Sequence, residues 1–217
     1  MTQMLAIHPT HPQGRLIAQA AAAVRRGELI VYPTDSCYAL GCHIGDRDAA
    51  ERMRRIREVD ANHHFTLVCR DLSEIANFAK VDNAQYRLLK AATPGQYTFI
   101  LEASREVPRR LAHPKRRTIG LRIPDHVIAQ ALLAELDEPL LSTTLLLPGY
   151  EEPLNDAEEI REALSRRVEL VIDGGACGLA PTTVIDMTGD APRVVRAGAG
   201  SLEAIGLELD AGTAEAL

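Results

Sequence analysis

The segment from Leu29 to Cys42, L-I-V-Y-P-T-D-S-C-Y-A-L-G-C, limits the possible folds more than any other stretch of the chain. Strand-forming apolar residues run into Pro33, and Thr34, Asp35 and Ser36 follow before the chain turns apolar again at Tyr38. This pattern reads as a buried strand that delivers polar groups to its end. In open α/β sheets, ligands bind in the crevice outside such ends, so Thr34, Asp35 and Ser36 are expected to line a pocket. Taken alone, the same residues also make an ordinary turn, because proline presets φ and Asp or Ser caps the amides that follow.

Strand and helix signals alternate along the rest of the chain. Residues 14–26 are rich in helix formers and stop at Gly27, and a strand follows over 28–33. Asp46 caps a helix that runs to Arg57, with apolar positions at Ala49, Met53 and Ile56. A short strand at 65–69 precedes helices over 71–79 and 83–92, capped by Asp71 and Asn83. Thr93-Pro94-Gly95 makes a turn into a strand at 97–101, and a further strand at 118–123 closes at Pro124. A helix over 126–136, a strand at 140–144 and a helix over 156–165 follow, and then strands at 168–172, 182–186 and 194–195. The order predicts an α/β fold, and the hairpin-like spacing between 168 and 196 predicts a mixed rather than purely parallel sheet. A chain of 217 residues suits one large domain, expected over residues 10–206 with a short acidic tail at 207–217.

Composition narrows the class. Hydrophobic content of 46% and charged content of 25% are those of a soluble globular protein, and 4% aromatics without tryptophan leave packing to Leu, Ile, Val and Ala. The Met1 end lacks a signal-like segment, and no run approaches the about 18 apolar residues a membrane span needs, so a cytoplasmic protein with no membrane partner is expected. Cys37, Cys42, Cys69 and Cys177 show no C-x-x-C spacing and read as reduced thiols. Cys37 lies beside the expected pocket, but a nucleophile needs a base that sequence does not place, so no catalytic residue is assigned. Glycine-rich phosphate loops and His or Cys pairs at zinc spacing are absent, and no metal ligands are expected. A net charge of −6 argues against a uniformly basic nucleic-acid binder. The charge is nevertheless clustered: Arg52, Arg54, Arg55 and Arg57 read as a solvated face, while Arg105, Arg109, Arg110, Lys115, Arg116, Arg117 and Arg122 form a denser group.

Four strand ends carry polar groups. Besides Thr34-Asp35-Ser36 they are T-I-G-L-R-I-P at Thr118 to Pro124, Ser142-Thr143-Thr144 and Pro181-Thr182-Thr183, with Arg196 just past the last strand. Arginine grips carboxylate or phosphate bidentately and hydroxyls complete the hydrogen bonds, so the set suits a phosphorylated or carboxylated small molecule. Each residue also has a plain structural role open to it, as a strand threonine, a paired arginine or a turn glycine. Asp173-Gly174-Gly175 with Gly178 marks a sharp loop that either turns or touches ligand.

L-I-V-Y-P-T-D-S-C-Y-A-L-G, P-G-Q-Y-T-F-I-L, T-I-G-L-R-I-P, S-T-T, V-I-D-G-G-x-x-G, P-T-T-V-I-D and V-V-R-A-G-A-G stand in the order seen in the YrdC/YciO family of threonylcarbamoyl-AMP synthase-like proteins. The resemblance covers residues 14–203, and H-H-F-T-L-V-C-R-D-L with K-R-R-T-I-G-L-R looks closest to the YciO branch. It implies a single YrdC-like domain: a twisted, open, mixed sheet with helices on both sides and a concave basic surface. Family synthases join threonine, bicarbonate and ATP into threonylcarbamoyl-adenylate and pyrophosphate, for threonylcarbamoyladenosine in transfer RNA. By motif position the resemblance implies that Thr34, Arg122, Ser142 and Thr182 contact the amino acid. Arg57, Thr118, Thr144 and Arg196 would contact ATP, brought in as substrate with Mg²⁺. Double-stranded or transfer RNA would lie along Arg109, Arg110, Lys115, Arg116 and Arg117.

The chain also departs from the family pattern. Where the synthases carry a Lys-x-Arg-Pro-like element, this chain reads Arg57-Glu58-Val59-Asp60, and Ser-Ala-Asn becomes Ser142-Thr143-Thr144. Three readings stay open: a weakened synthase, a non-catalytic RNA-binding protein, and an ATP hydrolase or sensor using the same pocket.

Overall fold

Aspartate side chains set most of the helix starts. In the computed structural model, which describes residues 2–60 and 63–208, Asp46 caps α2 (Arg47–Arg57), Asp71 caps α3 (Leu72–Phe78) and Asp156 caps α6 (Ala157–Ala163). Each carboxylate accepts a backbone N–H three residues on, at 2.8, 2.9 and 2.9 Å, which satisfies one of the amides a helix start leaves without a partner. In α4 (Asn83–Ala92) the cap is Asp82, not Asn83, because Asp82 and Gln85 bond reciprocally as a capping box. The first helix, α1 (Gly14–Arg25), ends at Gly27, whose φ of +80° is the left-handed geometry expected just past a C-cap.

The strands are β1 (Gln3–Ala6), β2 (Ile30–Tyr32), β3 (Ala39–His43), β4 (Thr66–Val68), β5 (Tyr97–Glu102), β6 (Thr118–Arg122), β7 (Leu140–Thr144), β8 (Leu170–Asp173), β9 (Thr183–Asp186) and β10 (Arg193–Arg196). They form one ten-stranded mixed sheet in the order β1-β8-β2-β3-β7-β4-β6-β5-β9-β10. The fold is thus the single mixed α/β layer structure expected from the sequence. The hairpin-like spacing misplaces one pairing: β8 and β9 are not neighbours, since β8 lies parallel between β1 and β2 while β9 pairs with β5 and β10. Arg196 is the last residue of β10 rather than a residue past it. β1 adds residues 3–6 to the sheet ahead of the expected boundary at residue 10. Of the expected tail at 207–217, the part from residue 209 onward lies outside the described residues.

Helices cover both faces, but unequally. On one face α2, α3, α4 and α6 bury Met53, Ile56, Ile75, Leu89 and Ile160 against Val31, Leu40, Leu67, Phe99, Leu121 and Ile185. On the other, α1 and α5 (Val127–Leu136) bury Ile17, Ala20, Ala21, Val24, Ile128, Leu132 and Leu133 against Ile30, Tyr32, Leu140, Leu170 and Ile172. That second core sits over the β1-β8-β2-β3 side and reaches only Leu140 of β7 and Val68 of β4, leaving the rest of that face of β7 and β4, and the same face of β6, β5 and β9, without a helix. Among the described residues no helix is long and apolar enough to cross a membrane.

Leu132 is fully buried at the contact between α1 and α5. Leu132→Ala should lower unfolding stability by about 2–5 kcal/mol, as Leu→Ala does in close-packed cores, with the loss read from the midpoint of a denaturant titration.

Candidate functional site

Strand register explains why the uncovered half-face is polar. Successive side chains alternate between faces, and one row across the sheet pairs Gly41 with Ser142, Ser142 with Thr66, Thr66 with Gly120, Gly120 with Ile100 and Ile100 with Asp186. In β5, Tyr97, Phe99 and Leu101 enter the core, which turns Thr98 and Ile100 to the open side; in β6, Leu121 enters it and Gly120 and Arg122 are turned outward. The resulting floor belongs to a cavity of about 600 Å³, a volume typical of small-molecule sites. Gly120 keeps the floor low, since a Cβ there would come 3.2 Å from Thr66 Oγ1.

Of the residues expected in a pocket, the cavity gathers Ser36, Arg57, Thr118, Arg122, Ser142, Thr144, Thr182 and Arg196. Thr34 and Asp35 are placed behind its wall. Thr34 Oγ1 is engaged in its own turn, donating to the Cys37 carbonyl at 2.6 Å and accepting from the amides of Ser36 and Cys37 at 3.2 and 3.3 Å. The Asp35 carboxylate accepts from Arg122, with side-chain exposures of only 7% and 10%, and from the Asp125 amide at 3.0 Å. Asp35 therefore positions Arg122 from behind. Arg122 also donates to Ser36 Oγ at 3.3 Å, and its buried Nε has no hydrogen-bond partner. Ser142 Oγ donates to the Leu40 carbonyl at 3.0 Å and accepts from Tyr32 at 2.8 Å, and Thr98 and Thr182 share a hydrogen bond of 2.8 Å.

Two further guanidinium groups close the cavity. Arg57, at the C-terminus of α2, donates to Thr143 Oγ1 at 2.9 Å and to the Thr144 carbonyl, and its buried Nε has no partner. Arg196 donates to the Thr182 carbonyl at 2.8 Å. Gly198 permits that crossing, since a Cβ there would meet the Pro181 carbonyl oxygen at 2.3 Å. Among the described residues neither arginine forms an ion pair. Burial lowers the pKa of both, and the Arg196 charge adds to the lowering at Arg57. Arg57 is partly buried and Arg196 lies exposed at the cavity edge, and two cations whose donors meet only hydroxyl and carbonyl oxygens favour an anion between them.

Cys37 also lines the cavity, and burial pushes its thiol pKa up, although hydrogen bonding from Ser36 and the charges of Arg122 and Arg196 oppose this. It is a neutral thiol rather than an activated nucleophile. Among the described residues no group of three His, Cys, Asp or Glu is arranged to hold a metal ion. The denser basic group, apart from Arg122 in β6, lies in the irregular segment between β5 and β6, anchored by buried Val107 and Leu111. Arg109, Arg110, Lys115, Arg116 and Arg117 are all exposed there, and Arg116 alone of the five lines the cavity. The first basic run is not simply a solvated face: Arg52 pairs with Glu169, Arg54 stacks over Phe65 at 4.7 Å, and Arg57 enters the site.

A sequence model of the Sua5, YciO and YrdC proteins, described as "telomere recombination", matches residues 22–198. The chain belongs to the Sua5/YciO/YrdC family. It is 56% identical over 203 residues to the uncharacterized protein YciO of Escherichia coli K12, covering 94% of this chain and 98% of that protein. It is 32% identical to the threonylcarbamoyl-AMP synthase of Chromobacterium violaceum, over 87% of this chain and 96% of the synthase. The crystal structure of E. coli YciO superposes with a TM-score of 0.91 at 56% identity, over 94% of this chain and all of that one. The P. abyssi Sua5 structure complexed with L-threonine superposes at 0.86 and 28% identity, over 94% of this chain and 60% of Sua5.

Within this family frame, the sequence reading missed the cavity residues Thr66, Thr98, His63, His64 and His113. The alternation that turns Thr118 and Arg122 outward also turns Thr66 and Thr98, but only the strand order shows that they share a floor. Because the Arg122–Asp35 pair is buried, Asp35→Asn should cost about 3–5 kcal/mol by leaving a buried cation without its counter-charge. Chemical denaturation of the variant against the parent measures the loss.

Proposed function

We propose that this protein binds an amino acid and ATP in the cavity and is a slow synthase of the threonylcarbamoyl-adenylate type. The observation that carries the reading is the presence in one cavity of a rigidly held guanidinium, Arg122, and of a couple, Arg57 and Arg196, that forms no ion pair among the described residues. Arg122, fixed by Asp35, suits a carboxylate, with Ser142, Thr182 and Ser36 supplying hydroxyls beside it. Arg57 and Arg196 suit phosphate oxygens, with Thr118 and Thr144 nearby, and Mg²⁺ arrives with the nucleotide. Thr34 then shapes the loop rather than touching the amino acid. The synthase names of relatives and the threonine-bound Sua5 support the same assignment.

The chemistry follows from charge. The threonine amine joins bicarbonate as a carbamate with loss of water, the carbamate oxygen bonds to the α-phosphorus, and the bond to the β-phosphate oxygen breaks to release pyrophosphate. Negative charge accumulates on the leaving group, where Arg57 and Arg196 stabilise it. Turnover is slow because one cation is missing. Val59 and Asp60 stand where the family's second basic residue and proline lie, and losing one preorganised donor typically costs about a hundredfold or more in rate.

Pyrophosphate release should depend on threonine and bicarbonate together, fall by about a hundredfold in Arg196→Ala, and require a much higher threonine concentration in Arg122→Ala. ATP consumption indifferent to threonine would instead establish a hydrolase, and absence of nucleotide binding would remove the reading. A second reading, RNA binding, draws on the exposed arginines and lysine beside the cavity mouth. Since Arg116 also lines the cavity, the separating variant reverses Arg109, Lys115 and Arg117 to Glu. It should weaken duplex RNA binding and flatten its salt dependence, with ATP affinity unchanged; RNA affinity equal to the parent's would exclude that surface.

A further inference from the structure

One wall of the cavity carries three histidines that the amino-acid and ATP assignment leaves unused. His63, His64 and His113 all line it, together with Arg116. His63 Nε2 lies 3.4 Å from Thr143 Oγ1, the hydroxyl that accepts from Arg57. The hydroxyl therefore has its own proton left to give, and His63 Nε2 is placed to accept it. The His64 ring stacks on His113 at 4.8 Å with planes 38° apart. His113 Nδ1 accepts the amides of Lys115 and Arg116 at 3.2 and 3.1 Å, so a neutral His113 carries its proton on Nε2. The wall thus holds one ring donor of fixed position, a cation and two further imidazoles that each gain a second donor and a positive charge when protonated.

We propose that the wall of His63, His64, His113 and Arg116 is a second anion subsite, which takes a phosphate group of the nucleotide and takes up protons as it does so. The subsite deepens the nucleotide-pocket reading above and rests on it for the identity of the ligand.

The surrounding charges give the sign. His63 faces Arg57 and Arg54 from α2, His64 beside it, and Asp60; His64 faces Arg54, His113 and Asp60. Lys115 and Arg116 flank His113, and Arg196, Glu151, Glu152 and Asp186 line the same cavity from other segments. Burial holds His63 below the usual histidine range and the Arg57 charge adds to it; burial and then His113 do the same to His64, while Asp60 opposes both shifts. A bound dianion cancels the cationic field and favours the imidazolium forms. Anion affinity is then greatest below the free-state pKa of these rings and falls as pH rises through the bound-state pKa. Each unit of pKa gained on binding corresponds to about tenfold in affinity.

Inorganic sulfate is the probe, since it stays dianionic across the range while phosphates titrate. Sulfate should bind the full chain about tenfold or more tighter at pH 5.5 than at pH 7.5. Calorimetry in two buffers of different ionisation enthalpy should show proton uptake, and the imidazole titrations seen by NMR should move to higher pH at saturation. His63→Gln with His64→Gln and His113→Gln should flatten the pH dependence and weaken ATP more than adenosine, with the circular dichroism spectrum retained. Equal sulfate affinity at both pH values, no sulfate binding, or a pH dependence that survives the triple substitution would overturn the subsite. Proton-linked sulfate binding without pyrophosphate release would remove the synthase reading alone, and release without the linkage would remove the subsite alone.

Discussion

Everything at the site depends on a mismatch between the area of the sheet and the helices available to cover it. Ten strands present two faces; four helices close one, while α1 and α5 close the β1-β8-β2-β3 side of the other and reach no further than Leu140 of β7 and Val68 of β4. A strand half-buried in this way must alternate apolar and polar residues, and β4, β5 and β6 do so: Leu67 against Thr66, Phe99 against Thr98, Leu121 against Arg122. The polar set of each strand points into one open space. The cavity is the part of the sheet that the fold leaves without a hydrophobic cover.

Burying a cation on such a floor is costly unless it is matched by charge. Arg122 is matched by Asp35, and so keeps a fixed direction at the cost of a buried pair. Arg57 and Arg196 are instead anchored by a hydroxyl and by backbone carbonyls, which satisfy donors without neutralising charge. The two arrangements differ: one aims a guanidinium, the other leaves two guanidinium groups without a paired carboxylate among the described residues.

Much of this was legible in the sequence. The Asp46 and Asp71 caps, the alternation of helices and strands, and Thr118, Arg122, Ser142, Thr144, Thr182 and Arg196 as pocket residues can all be read from local pattern, and the ordered motifs identify the family. Long-range placement cannot. Asp35 reads as a lining residue, but its partner Arg122 is 87 positions away and draws the carboxylate behind the wall. β3 escaped notice because Gly41 interrupts its strand signal; the glycine is there because a Cβ would come within 2.7 Å of Leu140 and 2.9 Å of Tyr32. His113 lies in an irregular segment with no periodicity, and only the return of the chain beside His64 brings it to the cavity.

The pocket proposed on this half-covered face has a carboxylate end at Arg122 and a phosphate end at Arg57 and Arg196. A crystal structure of the protein with ATP, Mg²⁺ and L-threonine tests it most directly. The amino-acid carboxylate is expected against Arg122 and the polyphosphate between Arg57 and Arg196. Nucleotide bound anywhere outside the floor of β4, β5, β6 and β7, or a carboxylate that leaves Arg122 untouched, would contradict it.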